Sequence, residues 1–382
     1  MNINRTDRPG KRLHALDSLR GLAALVVVWH HIVVILPRSI DTLKTQTPLL
    51  YTAAIWISDQ NKNAVLVFFV LSGWSIRLAI ERDDLFATGG LGTYIRRRAA
   101  RILPLYWLAL GWTAVLSLVH KQQDESFNLS ALLGNIALLQ TSASARGMWF
   151  PPYGLNGPLW SLSYEVFYYS LLPAIVLAMG STRARHPRAM DLMLIGSLFT
   201  SIAAIAMGRF APNPISEFLG GWAVWMYGWA LGECVIRKYM PYSLLVPAPV
   251  AIVVSWAADS IGLHSATLSQ LSQGLVLGTL MSVCTFSCIK LPEEILRKAE
   301  KSLDAVFLRV GGGSFALYLL HYPLLLSMAE MWRSFDIGST FSLIGTVVVS
   351  SAFALIFCPW LEFALKEGAQ QLFKVDRYFP QK

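Results

Sequence analysis

Charge is scarce in this chain. Only 14% of its 382 residues are Asp, Glu, Lys or Arg, where soluble domains carry roughly 25%. That shortage disfavours a soluble globular enzyme and a disordered protein alike. Cysteine is rarer still, at four residues. Cys234, Cys284, Cys288 and Cys358 all lie in or beside apolar segments, so no disulfide scaffold is expected. Cys284 and Cys288 are spaced i,i+4, but no second pair or neighbouring His joins them, and no metal is expected. What is abundant is apolar: 54% hydrophobic residues, 13 Trp, 19 Phe and a mean hydropathy of +0.49. The composition is that of an all-α polytopic membrane protein, with membrane lipid as its surroundings.

The net charge of +9 would suggest nucleic acid in a soluble protein. Here the basic residues fall in alternate loops, which is a topology signal, and no nucleic-acid partner is expected. Ten segments have the length and apolarity of a span: roughly 19–36, 64–81, 102–119, 158–179, 191–208, 215–236, 243–262, 268–289, 312–331 and 340–365. The first follows Arg5, Arg8, Lys11 and Arg12 like a signal peptide. Its long apolar core and lack of a small-residue cleavage site make it a retained helix. With the N-terminus in the cytoplasm, 25 of the 32 Lys and Arg residues fall inside and seven outside, so both termini are expected in the cytoplasm. Segments 37–63 and 120–157 read as the longest outer loops. Leu129 to Leu139 is too short to cross and reads as an interfacial or re-entrant helix, and 290–309 as an amphipathic helix on the inner surface. Residues 1–382 read as one integral-membrane domain with its core at about 14–366. No appended extracytoplasmic domain is expected.

Ionisable residues inside hydrocarbon mark a site by default. In the first span, Arg20 and His31 are eleven residues apart, about 20° of rotation and about 16 Å of rise. They share a face, with Arg20 at the inner rim and His31 near mid-membrane. His30 points about 100° away. The bland alternative is a snorkelling Arg and a buried, hydrogen-bonded His. The second span carries Phe68, Phe69, Ser72 and Gly73, where Ser-Gly admits a close neighbour, either a packed backbone or a ligand. Arg98 and Arg101, spaced i,i+3 before Pro104 and Tyr106, suit a polyphosphate or merely anchor the inner end. The fourth span brings Trp160, Ser161 and Glu165, and its carboxylate needs a cationic or His partner. Ser161, Glu165 and Tyr168 share a face at i,i+3/i+4 spacing. In the ninth span Ser314, Tyr318 and His321 face one side, just before Pro323 and after the glycines at 311–313.

Each motif is weak alone. Together and in this order they resemble the acyltransferase-3 family of integral membrane acyltransferases. Arg20 and His31 match its Arg-x10-His pattern, and Phe68 to Gly73 its FFxxSG pattern. Arg98, Arg101, Pro104 and Tyr106 match RxxR followed by Pro and Tyr. Trp160 to Glu165 match WSLxxE, and Ser314, Tyr318, His321 and Pro323 a late Ser-Tyr-His-Pro element. The resemblance implies an acyl-CoA donor, usually acetyl-CoA. The acceptor it implies is a hydroxyl on a bacterial surface or exported glycan, or on its lipid-linked oligosaccharide precursor, at the cytoplasmic (inner) membrane. Exopolysaccharide and lipopolysaccharide are both such glycans; small molecules such as macrolides are the alternative acceptors.

On this reading Arg20, Arg98, Arg101 and Tyr106 bind the donor. Ser72, Gly73, Trp160, Ser161, Ser314, Tyr318 and His321 line the cavity. His31 removes the acceptor proton, a task that suits an imidazole near neutral pH, and Glu165 orients it. Direct transfer and an acyl-His intermediate both remain open. The rival function is a transporter binding its substrate at the same polar cluster; a scaffold without chemistry leaves the buried His and Glu unexplained.

Overall fold

The computed structural model describes residues 14–119, 126–142, 145, 147–184, 186–237, 239–240, 242–262, 266–289 and 305–373, and most of these are helical. In chain order they are α1 (His14–Ile35), α2 (Pro37–Gln46), α3 (Pro48–Asp59), α4 (Asn61–Asp83), α5 (Gly90–Val119), α6 (Leu129–Ile136), α7 (Trp160–Ala184) and α8 (Pro187–Phe210). Then come α9 (Pro214–Gly220), α10 (Trp222–Arg237), α11 (Pro247–Ser260), α12 (Ala266–Ile289), α13 (Ala305–Gly312), α14 (Ser314–Ser334), α15 (Ser339–Ala352) and α16 (Cys358–Leu372). A π-helical turn at Phe353–Phe357 joins α15 to α16.

Among the described residues seven helical stretches are long and apolar enough to cross a membrane. They are Leu16–Ile35, Pro48–Asp83, Gly90–Val119, Gly157–Thr182, Arg188–Phe210, Ser243–Ser260 and Ser339–Gly368. Seven of the ten sequence segments fall on these. The other three are helical as α10, α12 and α14. Exposed aromatic side chains on these helices, among them Trp56, Phe199, Phe210, Trp256, Phe341 and Trp360, are what a lipid-facing surface presents. The segment read as an outer loop at 37–63 is largely helical. Pro37 and Pro48 each stand at the first turn of a helix, where the missing N–H costs nothing. The amphipathic-helix expectation at 290–309 falls mostly outside the described residues; only its last part, 305–309, is seen, inside α13.

Two large apolar cores form, beside two small clusters. One surrounds α10 and draws on α4, α7, α8 and α12 around Trp225, Tyr168 and Tyr227. The other surrounds α14 and draws on α1, α5 and α16 around Ile32, Tyr106 and Leu320. Glycines set the closest helix crossings. A Cβ on Gly73 would run into the carbonyl of Trp225, and one on Gly228 into that of Val70, so α4 and α10 touch backbone to backbone. Gly21 and Gly311 do the same for α1 and α13. Gly73 therefore packs helices.

Prolines inside helices leave carbonyls without their usual donor four residues on. Pro173 frees the carbonyl of Tyr169, and the Tyr94 hydroxyl donates to it at 2.9 Å. Pro323 frees that of Leu319, and Asn156 Nδ2 donates to it at 3.3 Å. In hydrocarbon such groups must be paired within the protein. Tyr94→Phe is expected to leave the Tyr169 carbonyl orphaned, at a cost of about 1–3 kcal/mol. A lowered thermal unfolding midpoint in detergent would report it, and an unchanged midpoint would show that this carbonyl finds another donor.

Candidate functional site

A partly open cavity lies where the two large cores meet. Helical spacing brings its lining together. Phe68, Ser72 and Ser75 step along one face of α4, and Ser161, Glu165 and Tyr169 along one face of α7. Arg98 and Arg101 come from α5, Arg20 from α1, and Ser314 and Tyr318 from α14. Of the residues singled out in the sequence, Arg20, Ser72, Arg98, Arg101, Ser161, Glu165, Ser314 and Tyr318 line this one space.

Others lie elsewhere. Gly73 sits in the α4–α10 crossing. The Trp160 ring packs 5.1 Å from Tyr164 and 6.3 Å from Phe69. Tyr106 is fully buried and donates to the Asn135 carbonyl at 2.7 Å, tying the short α6 onto α5. Tyr168, expected on the Glu165 face, turns instead to the carbonyl of Phe218 at 2.6 Å. Its neighbour Tyr169 faces the cavity, a residue the sequence reading missed. Its signal was the i+4 step beyond Glu165.

The cavity holds one carboxylate among three guanidinium groups. Tyr169 donates its hydroxyl hydrogen to Glu165 Oε2 at 3.3 Å and shares a hydrogen bond with Ser72 at 2.9 Å. Ser72 also accepts from Trp225 Nε1 at 3.1 Å. Arg20 donates to Asp17 and to Ser75, each at 3.0 Å. Arg98 and Arg101 differ from the other arginines of this end. Arg77 pairs with Glu233 and Glu81, and Arg82 and Arg97 with Asp83. Arg98 and Arg101 have no carboxylate at salt-bridge distance among the described residues, and the buried Arg98 Nε has no hydrogen-bond partner at all. Two unpaired guanidiniums facing a cavity form a receptor for an anion.

His31 lies outside this lining, about 16 Å further along α1 from Arg20. Its Nδ1 is 2.9 Å from the Val27 carbonyl and 3.1 Å from His321 Nε2. The expected orienting contact from Glu165 is not what the structure displays: His31 pairs with His321, and Glu165 with Tyr169. Tyr318 stands between cavity and histidines. Its hydroxyl meets Ser161 Oγ at 2.7 Å and the Pro158 carbonyl at 2.9 Å, while its ring lies 5.9 Å from that of His321. His30 turns away to Ser58, whose carbonyl and hydroxyl lie at 3.1 and 3.0 Å.

Comparison with known proteins adds an independent line. A family model described as an acyltransferase domain matches residues 13–362. The chain is 23% identical over 361 residues to acyltransferase MdmB of Streptomyces mycarofaciens, covering 86% of this chain and 85% of that one. It is also 23% identical over 218 residues to exopolysaccharide production protein ExoZ of Rhizobium meliloti (strain 1021), covering 49% of this chain and 63% of that one. No solved structure matches. With nearly its whole length matched, and the family's arginine, serine, glutamate and tyrosine motifs gathered around one cavity, the chain belongs to the acyltransferase-3 family of integral membrane acyltransferases.

Proposed function

We propose that this protein moves a short acyl group, acetyl in the first instance, from cytoplasmic acyl-CoA to a hydroxyl of an exported or cell-surface glycan or its lipid-linked precursor. The observation that carries the donor half is the pair Arg98 and Arg101, which line the cavity with no carboxylate at salt-bridge distance among the described residues, the Arg98 Nε having no hydrogen-bond partner. The phosphates of CoA are such an anion. Beside Arg20 they would sit at the inner rim, and the extended pantetheine arm reaches past Tyr318 toward His31. The glycan acceptor draws support from the relative named for exopolysaccharide production.

In the proposed step the acceptor oxygen attacks the thioester carbonyl while His31 takes the hydroxyl proton. The C–S bond breaks, and the imidazolium returns the proton to the departing thiolate. Glu165, held by Tyr169, balances part of the arginine charge in the donor cavity. We further propose ten spans, both termini in the cytoplasm, and residence in a bacterial inner membrane, supported by the 25-to-7 distribution of Lys and Arg.

Arg98→Ala and Arg101→Ala are expected to weaken donor binding by about 1.5–3 kcal/mol each, or about one to two decades in affinity. Lys at either position should recover part of the loss, since it keeps the charge without the fork. Donor affinity unchanged in both Ala variants would reduce the pair to topology anchors.

His31→Gln is expected to lower turnover by about two to four decades with donor affinity nearly kept, while His30→Ala retains most activity. Near-normal turnover in His31→Gln would remove proton abstraction from His31.

Orientation is testable in a version with Cys284 and Cys288 replaced by Ser. Thr45→Cys, exposed on α2, should react with an impermeant thiol reagent on intact cells, and Thr88→Cys, exposed between α4 and α5, should not. Reversed labelling would invert the proposed side of donor entry.

A further inference from the structure

We infer that His321 is a positioning residue: it holds His31 with the proton on Nδ1, leaving Nε2 as the free base, and it shares the positive charge when Nε2 is protonated. The inference rests on the reading of His31 as the base and names a device that this reading lacks.

The proton positions follow from the partners. His321 Nδ1 lies 3.0 Å from the Leu317 carbonyl and 2.7 Å from that of Tyr318. Carbonyl oxygens only accept, so Nδ1 of His321 carries its proton. A neutral imidazole has one N–H, and His321 Nε2 is therefore an acceptor. That nitrogen is 3.1 Å from His31 Nδ1, whose other neighbour is the Val27 carbonyl at 2.9 Å. Both neighbours accept, so the proton of His31 also sits on Nδ1. Its Nε2 is left with a lone pair.

The arrangement does what a carboxylate does beside a catalytic imidazole elsewhere, fixing tautomer and ring orientation. It does so with a neutral group, which suits a site inside hydrocarbon where a second charge is costly. When His31 gains a proton at Nε2, the Nδ1–H···Nε2 contact becomes charge-assisted and shortens. A second proton on His321 would set N–H against N–H, so the pair takes up one proton, at the free end of His31. His321 is itself held. It is buried on α14, and Asn156 fixes the adjoining turn through the carbonyl that Pro323 leaves free. The other ring groups facing the pair are His30 and Tyr322 beside His31, at 5.1 and 5.0 Å between ring centres, and Tyr318 and Tyr322 beside His321, at 5.9 and 6.3 Å.

The test compares His321→Leu with His321→Gln in the full-length protein, with acetyl-CoA as the donor. Leu removes the acceptor for His31 Nδ1–H; Gln places Oε1 where Nε2 stood. His321→Leu is expected to lower kcat by roughly a hundredfold, the scale of a misplaced reacting group, with donor KM unchanged. His321→Gln should turn over roughly ten times faster than Leu. In 15N-histidine-labelled wild-type protein, the resonances lost in His31→Gln should be those of a protonated Nδ1 and an unprotonated Nε2. Wild-type kcat in His321→Leu while His31→Gln is inactive would overturn the inference and leave His31 as the base. An active His31→Gln would overturn the underlying reading as well. Should the Leu variant fail to fold, the wild-type spectrum decides: a proton on His31 Nε2 overturns the inference.

Discussion

A guanidinium whose buried nitrogen finds no partner is a standing cost inside a membrane protein, and Arg98 is such a group. The ends of α4, α5 and α10 that carry these arginines contain enough carboxylate to satisfy the others: Glu233 takes Arg77 and Arg237, and Asp83 takes Arg82 and Arg97. The fold thus shows that it can pair cations where it needs rigidity. It leaves Arg98 and Arg101 out of that pairing, and both line a cavity that touches the two large apolar cores. On the proposed reading, the donor's phosphates join Glu165 in balancing that charge. The rest of the site is built around keeping that space open yet shaped. Tyr169 and Ser72 hold Glu165, Asp17 and Ser75 hold Arg20, and glycine crossings bring the helices close on either side.

The same economy of polar groups governs the backbone. Hydrocarbon supplies no donors, so each helix-internal proline creates a carbonyl that the protein must satisfy. Two such carbonyls are answered across helices, by Tyr94 for Tyr169 and by Asn156 for Leu319. Both lie beside functional side chains. Tyr169 faces the arginine cavity, and Leu319 is two residues before His321. The donors to these freed carbonyls therefore brace turns beside the proposed site, and they sit on elements distant in sequence.

Much of this was legible in the sequence because helical geometry is local. The i,i+3, i+4 and i+11 spacings were enough to put Arg98 with Arg101, Ser161 with Glu165, and Arg20 on the face of α1 that meets the cavity. They also turned His30 away from His31, as its contact with Ser58 shows. What spacing could not supply was which face meets which neighbour. Tyr106 has the position of a donor-binding residue in the motif, but Asn135, on a separate short helix, captures its hydroxyl. Glu165 and His31 are both polar residues at depth and invite pairing. They lie on helices whose relative height is set by tertiary packing, and each finds a nearer partner. Tyr169 was passed over for Tyr168 because two adjacent tyrosines are indistinguishable until the α7 face toward Phe218 is known.

On the proposed reading, in which Arg20 meets phosphate and His31 moves the proton, their separation has a physical reason. Phosphate recognition calls for several fixed positive charges, which are least costly near water at the rim. Proton transfer calls for a group whose charge appears only in the reaction, and such a group tolerates greater depth. One continuous helix, α1, carries both, so their spacing is as rigid as its backbone. Tyr318 lies between them, bonded to Ser161 on the cavity side and packed near His321 on the other. In the proposed orientation, permanent charge at one end and a neutral histidine pair at the other would keep the charged groups near water. An extended donor whose phosphates and reactive carbonyl are far apart suits that division.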